Sequence, residues 1–258
     1  MKAFIINLAR GAGAILREGF YKKKNVQKKP SPDGFQDMVT EYDFAAEKFI
    51  IDEIRRKFPS HGILGEESGH LKKGKNFWII DPLDGTHAFV KGVPQFSTTF
   101  SFVSDGRLKH GVVYDPIHDE LFYAEAGKGA ILNNRKIRVS KKDKLQYGNF
   151  ACYVASLLEK REGNHYRRLI YERVIFEEQM WNDTASSVAL GAAYVACGRN
   201  DVIFAKGLNP WDISGGALIM KEAGAKITDL QGKPYKWSSD ELLAGNPVLH
   251  RQVLKAIK

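Results

Sequence analysis

The spacing of apolar residues predicts two amphipathic helices near the start of the chain. A helix over residues 2–20 places these apolar side chains on one face: Phe4, Ile5, Leu8, Ala12, Ile15 and Leu16. A second helix is predicted to begin at the Thr-Glu-Tyr-Asp sequence of residues 40–43, which has capping-box spacing, and to end before Pro59. The charged stretch between them, residues 22–34, contains two prolines and a glycine, which favour a loop.

Short apolar runs bounded by turn residues predict strands in the middle of the chain. Residues 77–80 form a continuous apolar run, which is typical of a buried strand, and the run stops at an Asp-Pro pair. Residues 96–104, 111–114 and 120–124 have the pattern of antiparallel strands joined by glycine-bearing turns. This part of the chain is therefore predicted to pack helices on an antiparallel sheet.

Strands and helices alternate after about residue 146, which is typical of an α/β arrangement. The predicted elements are strands at 150–155, 174–176 and 201–205, and helices at 157–171, 185–197, 210–223 and after the Asn-Pro pair of 246–247. We expect an α+β half over residues 1–145 and an α/β half over residues 146–258, which together form one compact unit.

The excess of positive charge is concentrated at the start of the chain. Lysine and arginine number 39 and aspartate and glutamate 30, which gives a formal net charge of +9. Residues 1–30 contain eight basic residues and one acid and so carry +7, which leaves +2 for the rest. A nucleic-acid-binding domain needs a basic face on its body, so this distribution does not favour nucleic acid as a partner.

Cysteine content and hydropathy indicate a cytoplasmic protein. Cys152 and Cys197 provide neither a disulfide framework nor a metal-binding spacing, and we expect both to be reduced. Arg10 interrupts the one stretch that looks like a signal peptide, and no apolar run is long enough to span a bilayer. We therefore expect no membrane association.

The hexapeptide Asp-Pro-Leu-Asp-Gly-Thr at residues 81–86 carries the most chemical information. It follows a predicted buried strand, and ligands of α/β proteins gather beyond the carboxyl ends of strands. Asp81 and Asp84 can converge there on one point, and oxygen ligands suit a hard cation such as Mg²⁺. If Gly85 and Thr86 open a helix, its free N–H groups form an anion site. The alternative is an ordinary turn.

Two further acidic motifs strengthen the metal hypothesis. Gly-Glu-Glu-Ser-Gly at residues 65–69 follows a short apolar run, and Asp212 lies in the first turn of a predicted helix. Taken alone, the first also fits a solvated turn and the second a side chain that complements the helix dipole. Together, Glu66, Asp81, Asp84 and Asp212 predict a carboxylate cluster that cations must stabilise. The corresponding hypothesis is a Mg²⁺-dependent phosphoester hydrolase.

These motifs resemble those of the inositol monophosphatase family, the lithium-sensitive, magnesium-dependent phosphatase superfamily. The matching stretches are Gly-Glu-Glu-Ser (65–68), Trp-Ile-Ile-Asp-Pro-Leu-Asp-Gly-Thr (78–86) and Asn-Pro-Trp-Asp-Ile-Ser-Gly-Gly (209–216). Residues 39–43 also match the family's Val-Thr-x-x-Asp, and the resemblance covers nearly the whole chain. It implies a layered αβαβα sandwich, of α+β and α/β character, that forms a homodimer.

The resemblance implies a set of metal ligands for two or three Mg²⁺ ions. Glu66 would ligate the first ion and position the attacking water, and the backbone carbonyl of Leu83 would complete that shell. Asp81 would bridge two ions, while Asp84 and Asp212 would hold the second.

The resemblance also implies phosphate-binding and supporting residues. Gly85 and Thr86 would bind phosphate through backbone N–H groups, and the Thr86 hydroxyl would contact the water. Asp43 would support Thr86. Lys28 or Lys29 corresponds to a lysine that lies near the metals in relatives, with a solvated charged loop as the alternative.

Departures from the family pattern cluster on the substrate side. Ala205 stands where inositol phosphatases carry a glutamate that contacts substrate hydroxyls. Lys206 either meets a second anion on the substrate or, as most lysines do, points to solvent; we expect the latter. Residues 182–187, including Ser186, lack the arginine and glycine of relatives.

The altered substrate side leaves several functions open. We expect hydrolysis of an inositol monophosphate-like polyol phosphate or a sugar phosphate. Fructose 1,6-bisphosphate, adenosine 3′,5′-bisphosphate and histidinol phosphate are alternative substrates within the family. A regulatory or nucleic-acid-binding protein on a phosphatase fold, acting through residues 1–30, is the alternative from another class.

Overall fold

Helices and sheets alternate in five layers in the computed structural model, which describes residues 1–29, 37–72, 74–154 and 162–258. The helices are α1 Lys2–Phe20, α2 Glu41–Lys57, α3 Thr86–Lys91, α4 Glu162–Leu169, α5 Val188–Ala196, α6 Pro210–Glu222 and α7 Pro247–Ala256, with a π-helical segment at Ile170–Phe176. The strands are β1 Val26–Lys29, β2 Asp37–Thr40, β3 Gly62–Gly65, β4 Gly69–Lys72, β5 Asn76–Asp84, β6 Ser97–Ser104, β7 Arg107–Asp115, β8 Glu120–Glu125, β9 Gly129–Leu132, β10 Arg135–Lys136, β11 Asn149–Val154, β12 Trp181–Asn182, β13 Val202–Lys206, β14 Lys226–Thr228 and β15 Glu241–Gly245. The layered αβαβα prediction is confirmed.

The eight-stranded sheet has the order β10-β9-β8-β7-β6-β5-β3-β4. Its neighbouring strands are antiparallel except for β3 and β5, which run parallel. The five-stranded sheet has the order β12-β11-β13-β15-β14, and β1 and β2 form a separate hairpin. The parallel pair matters for function because it brings the carboxyl ends of β3 and β5 to one edge of the sheet.

The first helical layer is formed by α1 and α2 as the apolar spacing predicted. Leu8 and Leu16 of α1 and Ile50 and Ile54 of α2 are completely or almost completely buried, in one core with Trp78 of β5. The predicted capping box at the start of α2 is also present. Periodicity alone therefore identified the helical face that packs on the sheet.

The middle helical layer, α5 and α6, lies between the two sheets and is rich in small residues. Gly215 of α6 packs on β7 so closely that an added Cβ would lie 2.6 Å from Thr99 Oγ1 and 2.9 Å from the Val112 carbonyl oxygen. An added Cβ on Gly111 would likewise lie 2.6 Å from the Gly215 carbonyl oxygen. The two glycines let the helix backbone approach the sheet directly.

The prediction of a strand at residues 174–176 is wrong. These residues belong to the π-helical segment, where Ile170 and Val174 are completely buried one turn apart. A run of three apolar residues fits a helix as well as a strand. Here the segment is helical and buries one face. The strand that follows this segment is β12 at Trp181–Asn182, which pairs with one edge of β11.

Other boundaries also differ from the predictions. The stretch 22–34 was expected to be a loop, but Val26–Lys29 pairs with Asp37–Thr40; residues 30–36 lie outside the described residues. Of the helix predicted at 157–171, residues 157–161 lie outside the described residues, and α4 begins at Glu162.

Strand β5 runs beyond the apolar stretch at 77–80 and includes the first carboxylates of the motif. Its register against β6 shifts between Asp81 and Asp84. Pro82 lies within this irregularity, where its missing N–H removes no regular ladder bond.

Among the helices of the described residues, none has the length and apolar character needed to cross a bilayer.

Substitution of Gly215 by Ala should destabilise the fold, because the added methyl group would clash with backbone oxygens of the sheet, which cannot shift without disturbing strand pairing. We expect the free energy of unfolding to fall by about 1–3 kcal/mol, which urea denaturation would measure. Lys221→Ala, on the exposed face of the same helix, is the control and should change it by less than about 0.5 kcal/mol. Equal effects of the two variants would contradict the close packing.

Substitution of His250 by Gln should reduce the loss of stability on acidification. Burial, and secondarily Lys226, lowers the pKa of His250 from 6.5 to about 4, and its Nε2 lies 2.9 Å from Thr228 Oγ1. The unfolded chain binds the proton near its ordinary pKa, so stability falls as the pH drops from there toward about 4. Between about pH 7 and pH 5, the wild type should lose about 2 kcal/mol more than the variant in urea titrations. Equal losses would contradict this.

Candidate active site

The parallel pairing of β3 and β5 brings two of the predicted acidic motifs together. Glu66 directly follows β3, and its N–H donates to the Ile80 carbonyl oxygen at 3.1 Å. Asp81 and Asp84 belong to the last residues of β5. The sheet therefore places the backbone of Glu66 beside that of Asp81 across neighbouring strand ends.

The four predicted carboxylates interact electrostatically at Asp81. Burial raises the pKa of Asp81 well above its usual range, and the charges of Glu66, Asp84 and Asp212 raise it further. Burial also raises the pKa of Glu66, against the effect of Lys29. Such a cluster is costly in the ionised form unless cations compensate it.

Asp84 is tied to the start of α5. Its Oδ2 accepts hydrogen bonds from the Ser187 hydroxyl and from the Ala189 N–H, the latter at 2.7 Å. Ser97 Oγ lies a further 3.1 Å from Ser187 Oγ. Burial raises the pKa of Asp84 to about 6 although these hydrogen bonds favour the ionised form. The carboxylate thus connects the first sheet to the middle helical layer.

Asp212 comes to the site from the start of α6. The helix predicted at 210–223 is present, with Asn209 as its N-cap and Pro210 as its first residue. The Asp212 carboxylate accepts a hydrogen bond from the Asn209 N–H at 2.7 Å, which forms part of a capping box. The position of Asp212 is therefore compatible with both interpretations. It caps the start of α6, and its charge acts on Asp81 in the carboxylate cluster.

Thr86 and Asp43 are in contact, although they are far apart in sequence. Thr86 Oγ1 lies 3.1 Å from Asp43 Oδ1 and 3.0 Å from the Leu83 carbonyl oxygen. The other Asp43 oxygen accepts hydrogen bonds from the Thr40 N–H and hydroxyl at 2.8 and 2.6 Å. Burial raises the pKa of Asp43, while these hydrogen bonds lower it.

Gly85 occupies a position that only glycine fits. Its φ is +93°, and an added Cβ would lie 2.9 Å from the Gln95 carbonyl oxygen. This residue is the N-cap of α3, so the predicted helix after the Asp-Pro-Leu-Asp motif is present, with Thr86 as its first residue.

Of the two candidate lysines, Lys29 contacts the site and Lys28 is exposed. Lys29 Nζ lies 3.1 Å from Glu66 Oε1 and also contacts Glu67 Oε1. Burial lowers the pKa of Lys29, but Glu66 and Glu67 together raise it above its ordinary value. The alternative of a solvated loop is therefore wrong for Lys29.

Sequence reasoning missed Glu47 at this site, and it gave no role to Glu67, the second acid of the Gly-Glu-Glu-Ser-Gly motif. Burial and the neighbouring Glu66 raise the pKa of Glu67 to about 7. Glu47 is buried in α2, and its Oε1 accepts hydrogen bonds from the N–H groups of Glu67 at 3.1 Å and Ser68 at 3.4 Å. The sequence signal that could have identified Glu47 is its position one helical turn after Asp43, on the same face of α2.

The predicted substrate-side residues differ in their exposure to solvent. Lys206 does not point to solvent as expected: it is 6% exposed and pairs with Glu241 at 3.0 Å. Ala205 is completely buried in β13. Ser186 is exposed, and its N–H and hydroxyl both lie 3.3 Å from Gln95 Oε1. The expected contacts of these residues with substrate remain predictions.

The donor chemistry of the site fits a hard divalent cation, because the cluster is made of buried carboxylates with raised pKa values. In the part of the chain that the structure describes, however, no group of three His, Cys, Asp or Glu side chains is already arranged to hold a metal ion. Lys29 engages Glu66, and α5 engages Asp84. Both carboxylates therefore have protein partners in this structure.

Comparisons with known proteins agree with the fold. A family model described as the inositol monophosphatase family matches residues 1–258. The fructose-1,6-bisphosphatase/inositol-1-monophosphatase of Thermotoga maritima is 39% identical over 259 residues, which cover 98% of this chain and 94% of that protein. The Nus factor SuhB of Salmonella typhimurium is 37% identical over 259 residues, which cover 100% of this chain and 94% of that protein.

Solved structures show the same similarity. The extragenic suppressor protein suhB from Bartonella henselae has a TM-score of 0.91 at 32% identity, and the match covers 100% of this chain and 98% of that one. An IMPase from Thermotoga maritima has a TM-score of 0.88 at 37% identity and covers 99% and 95%. The fold and its relatives define a phosphoric monoester hydrolase. The chain belongs to the inositol monophosphatase family.

Substitution of Lys29 by Ala should destabilise the metal-free protein, because Glu66 and Glu67 lose their compensating charge. Removing one partner of a partly buried pair should lower the free energy of unfolding by about 2 kcal/mol, measured by urea denaturation in EDTA. Lys28→Ala, at the exposed neighbouring residue, is the matched control and should have little effect. If both variants were equally stable, Lys29 would not be compensating the cluster.

Proposed function

We propose that this protein is a Mg²⁺-dependent phosphatase that hydrolyses a small phosphomonoester by attack of an activated water. The observation that carries the proposal is the buried pair Asp81 and Asp84, with Glu66 and Asp212 near enough for their charges to raise the pKa of Asp81. Four ionised carboxylates in such a place need divalent cations. Bound Mg²⁺ supplies a Lewis acid for the phosphate oxygens and lowers the pKa of the attacking water.

The proposed ligands follow from the motifs and their placement. Glu66, Asp81 and the Leu83 carbonyl oxygen would hold the ion next to the water, and Asp84 and Asp212 a second one. Two or three ions are proposed in total. The Leu83 carbonyl oxygen is already directed toward this region, since it lies 3.0 Å from Thr86 Oγ1.

Thr86 is proposed to orient the water through its link to Asp43. A threonine hydroxyl has one proton, and two acceptors lie within reach of it, Asp43 Oδ1 at 3.1 Å and the Leu83 carbonyl oxygen at 3.0 Å. The oxygen of Thr86 then remains free to accept a hydrogen bond from the water. Gly85 and Thr86 would bind the phosphate through their backbone N–H groups.

The proposed substrate is a small polyol or sugar phosphate. Ala205 lacks the carboxylate that the family resemblance places at this position, and the buried Lys206 is paired with Glu241. The named relatives include both an inositol-1-monophosphatase and a fructose-1,6-bisphosphatase/inositol-1-monophosphatase. Fructose 1,6-bisphosphate, adenosine 3′,5′-bisphosphate and histidinol phosphate belong in the same substrate test. A homodimer, a cytoplasmic location and inhibition by lithium are part of this proposal.

Phosphate release from a panel of these phosphomonoesters should depend on Mg²⁺ and stop in EDTA. Asp81→Asn and Asp212→Asn keep the shape of the side chain but remove its charge, so each should lower kcat/KM by at least about 100-fold. Asp212→Asn also retains an oxygen that can accept the hydrogen bond of the helix cap. Asp52→Asn, on the exposed side of α2, is the control and should leave the rate unchanged. Full activity of both site variants would refute the proposal.

A further inference from the structure

We infer that Glu47 is a positioning residue that holds the loop of residues 66–68 in the conformation required for Mg²⁺ binding by Glu66; this rests on the proposed function. The loop of residues 66–68, called the Glu66 loop below, joins β3 to β4 and carries the first proposed metal ligand.

The backbone N–H groups of the Glu66 loop are anchored by two different elements. The N–H of Glu66 donates to the Ile80 carbonyl oxygen of β5 at 3.1 Å. The next two N–H groups, of Glu67 and Ser68, both donate to Glu47 Oε1, at 3.1 and 3.4 Å. The sheet therefore holds the first residue of the loop, and a single side-chain oxygen of α2 holds the other two.

The close approach of Gly65 is an independent observation on the same contact. An added Cβ on Gly65 would lie 2.2 Å from Glu47 Oε1 and 2.6 Å from Ser68 Oγ. Only a residue without a side chain leaves room for the Glu47 carboxylate beneath the loop. The glycine before Glu66 thus has a physical role in admitting the anchor.

Glu47 is well suited to hold the loop rigidly. Glu47 is only 4% exposed, so water competes little for its two hydrogen bonds. Without these two bonds, the Glu67 and Ser68 N–H groups lose this acceptor, and Glu66 is held by its own N–H and by Lys29 while the rest of the loop can move between the paired Gly65 and Gly69. The predicted consequence is a loss of metal affinity, which is the usual effect of removing a residue that orients a ligand.

Three variants separate the acceptor role of Glu47 from its charge and bulk. Glu47→Gln keeps an oxygen at the same reach, Glu47→Asp keeps the charge but is one methylene too short, and Glu47→Ala removes the acceptor. Asp52→Ala, an exposed acid of the same helix, is the matched control.

The first readout is amide hydrogen exchange of the Glu66 loop in the metal-free full-length protein. The amides of Glu67 and Ser68 should exchange at least about 10-fold faster in Glu47→Ala and Glu47→Asp than in the wild type. Glu47→Gln and the Asp52 control should stay within about 3-fold of the wild type. This measurement needs no metal and no substrate.

The second readout is Mg²⁺ affinity, measured by calorimetric titration without substrate. Glu47→Ala and Glu47→Asp should bind Mg²⁺ about 10–100-fold more weakly, while Glu47→Gln should remain close to the wild type. At saturating Mg²⁺, kcat of Glu47→Asp should recover toward the wild-type value, because Glu47 does not touch the reacting atoms.

The outcomes separate the inference from the proposed function. A wild-type protein that binds no Mg²⁺ would refute the proposed function and, with it, the role of Glu47. Normal binding by the wild type together with unchanged exchange or unchanged affinity in Glu47→Asp would overturn only the inference. Because Glu47→Asp and Glu47→Gln keep a polar group in the site, the test does not depend on the folding of Glu47→Ala.

Discussion

The cost of burying several carboxylates at one strand edge is the constraint on which the rest of the structure depends. Asp81 lies where burial and three further acids, Glu66, Asp84 and Asp212, all oppose its ionisation. Like charges in a poorly solvated place are tolerated only with cations or with many hydrogen bonds. The protein supplies Lys29 on one side and the start of α5 on the other, and the proposed Mg²⁺ ions would complete the compensation.

The scaffold brings these charges together by backbone packing rather than by long side chains. The parallel pairing of β3 and β5 sets Glu66 beside Asp81, and the glycine contact between α6 and the sheet carries Asp212 toward them. Gly111 and Gly215 make that approach possible, since any larger residue would keep the helix away from the sheet. The positions of the site residues are therefore a consequence of the same close packing that forms the core between the sheets.

Much of the fold and of the candidate site was predictable because the relevant signals are local. The faces of α1 and α2, the capping boxes and the Pro-led start of α6 follow from spacings within a few residues. The prediction failed where a short apolar run fits both a strand and a helix. Residues 174–176 were predicted as a strand but are π-helical. The solvent-facing expectation for Lys206 failed for another reason, since its partner Glu241 comes from a strand 35 residues further along the chain.

The sequence by itself determined the helical faces, the motifs and the chemical type of the site, because these depend on residue identity and on local periodicity. Only the tertiary structure decided which of two adjacent lysines enters the cluster and that Glu47 lies beneath the Glu66 loop. It also shows the contact between Thr86 and Asp43 that the family resemblance implied. These contacts join positions that are 20 to 43 residues apart. Their geometry follows from strand register and helix packing, which no local pattern of the chain encodes.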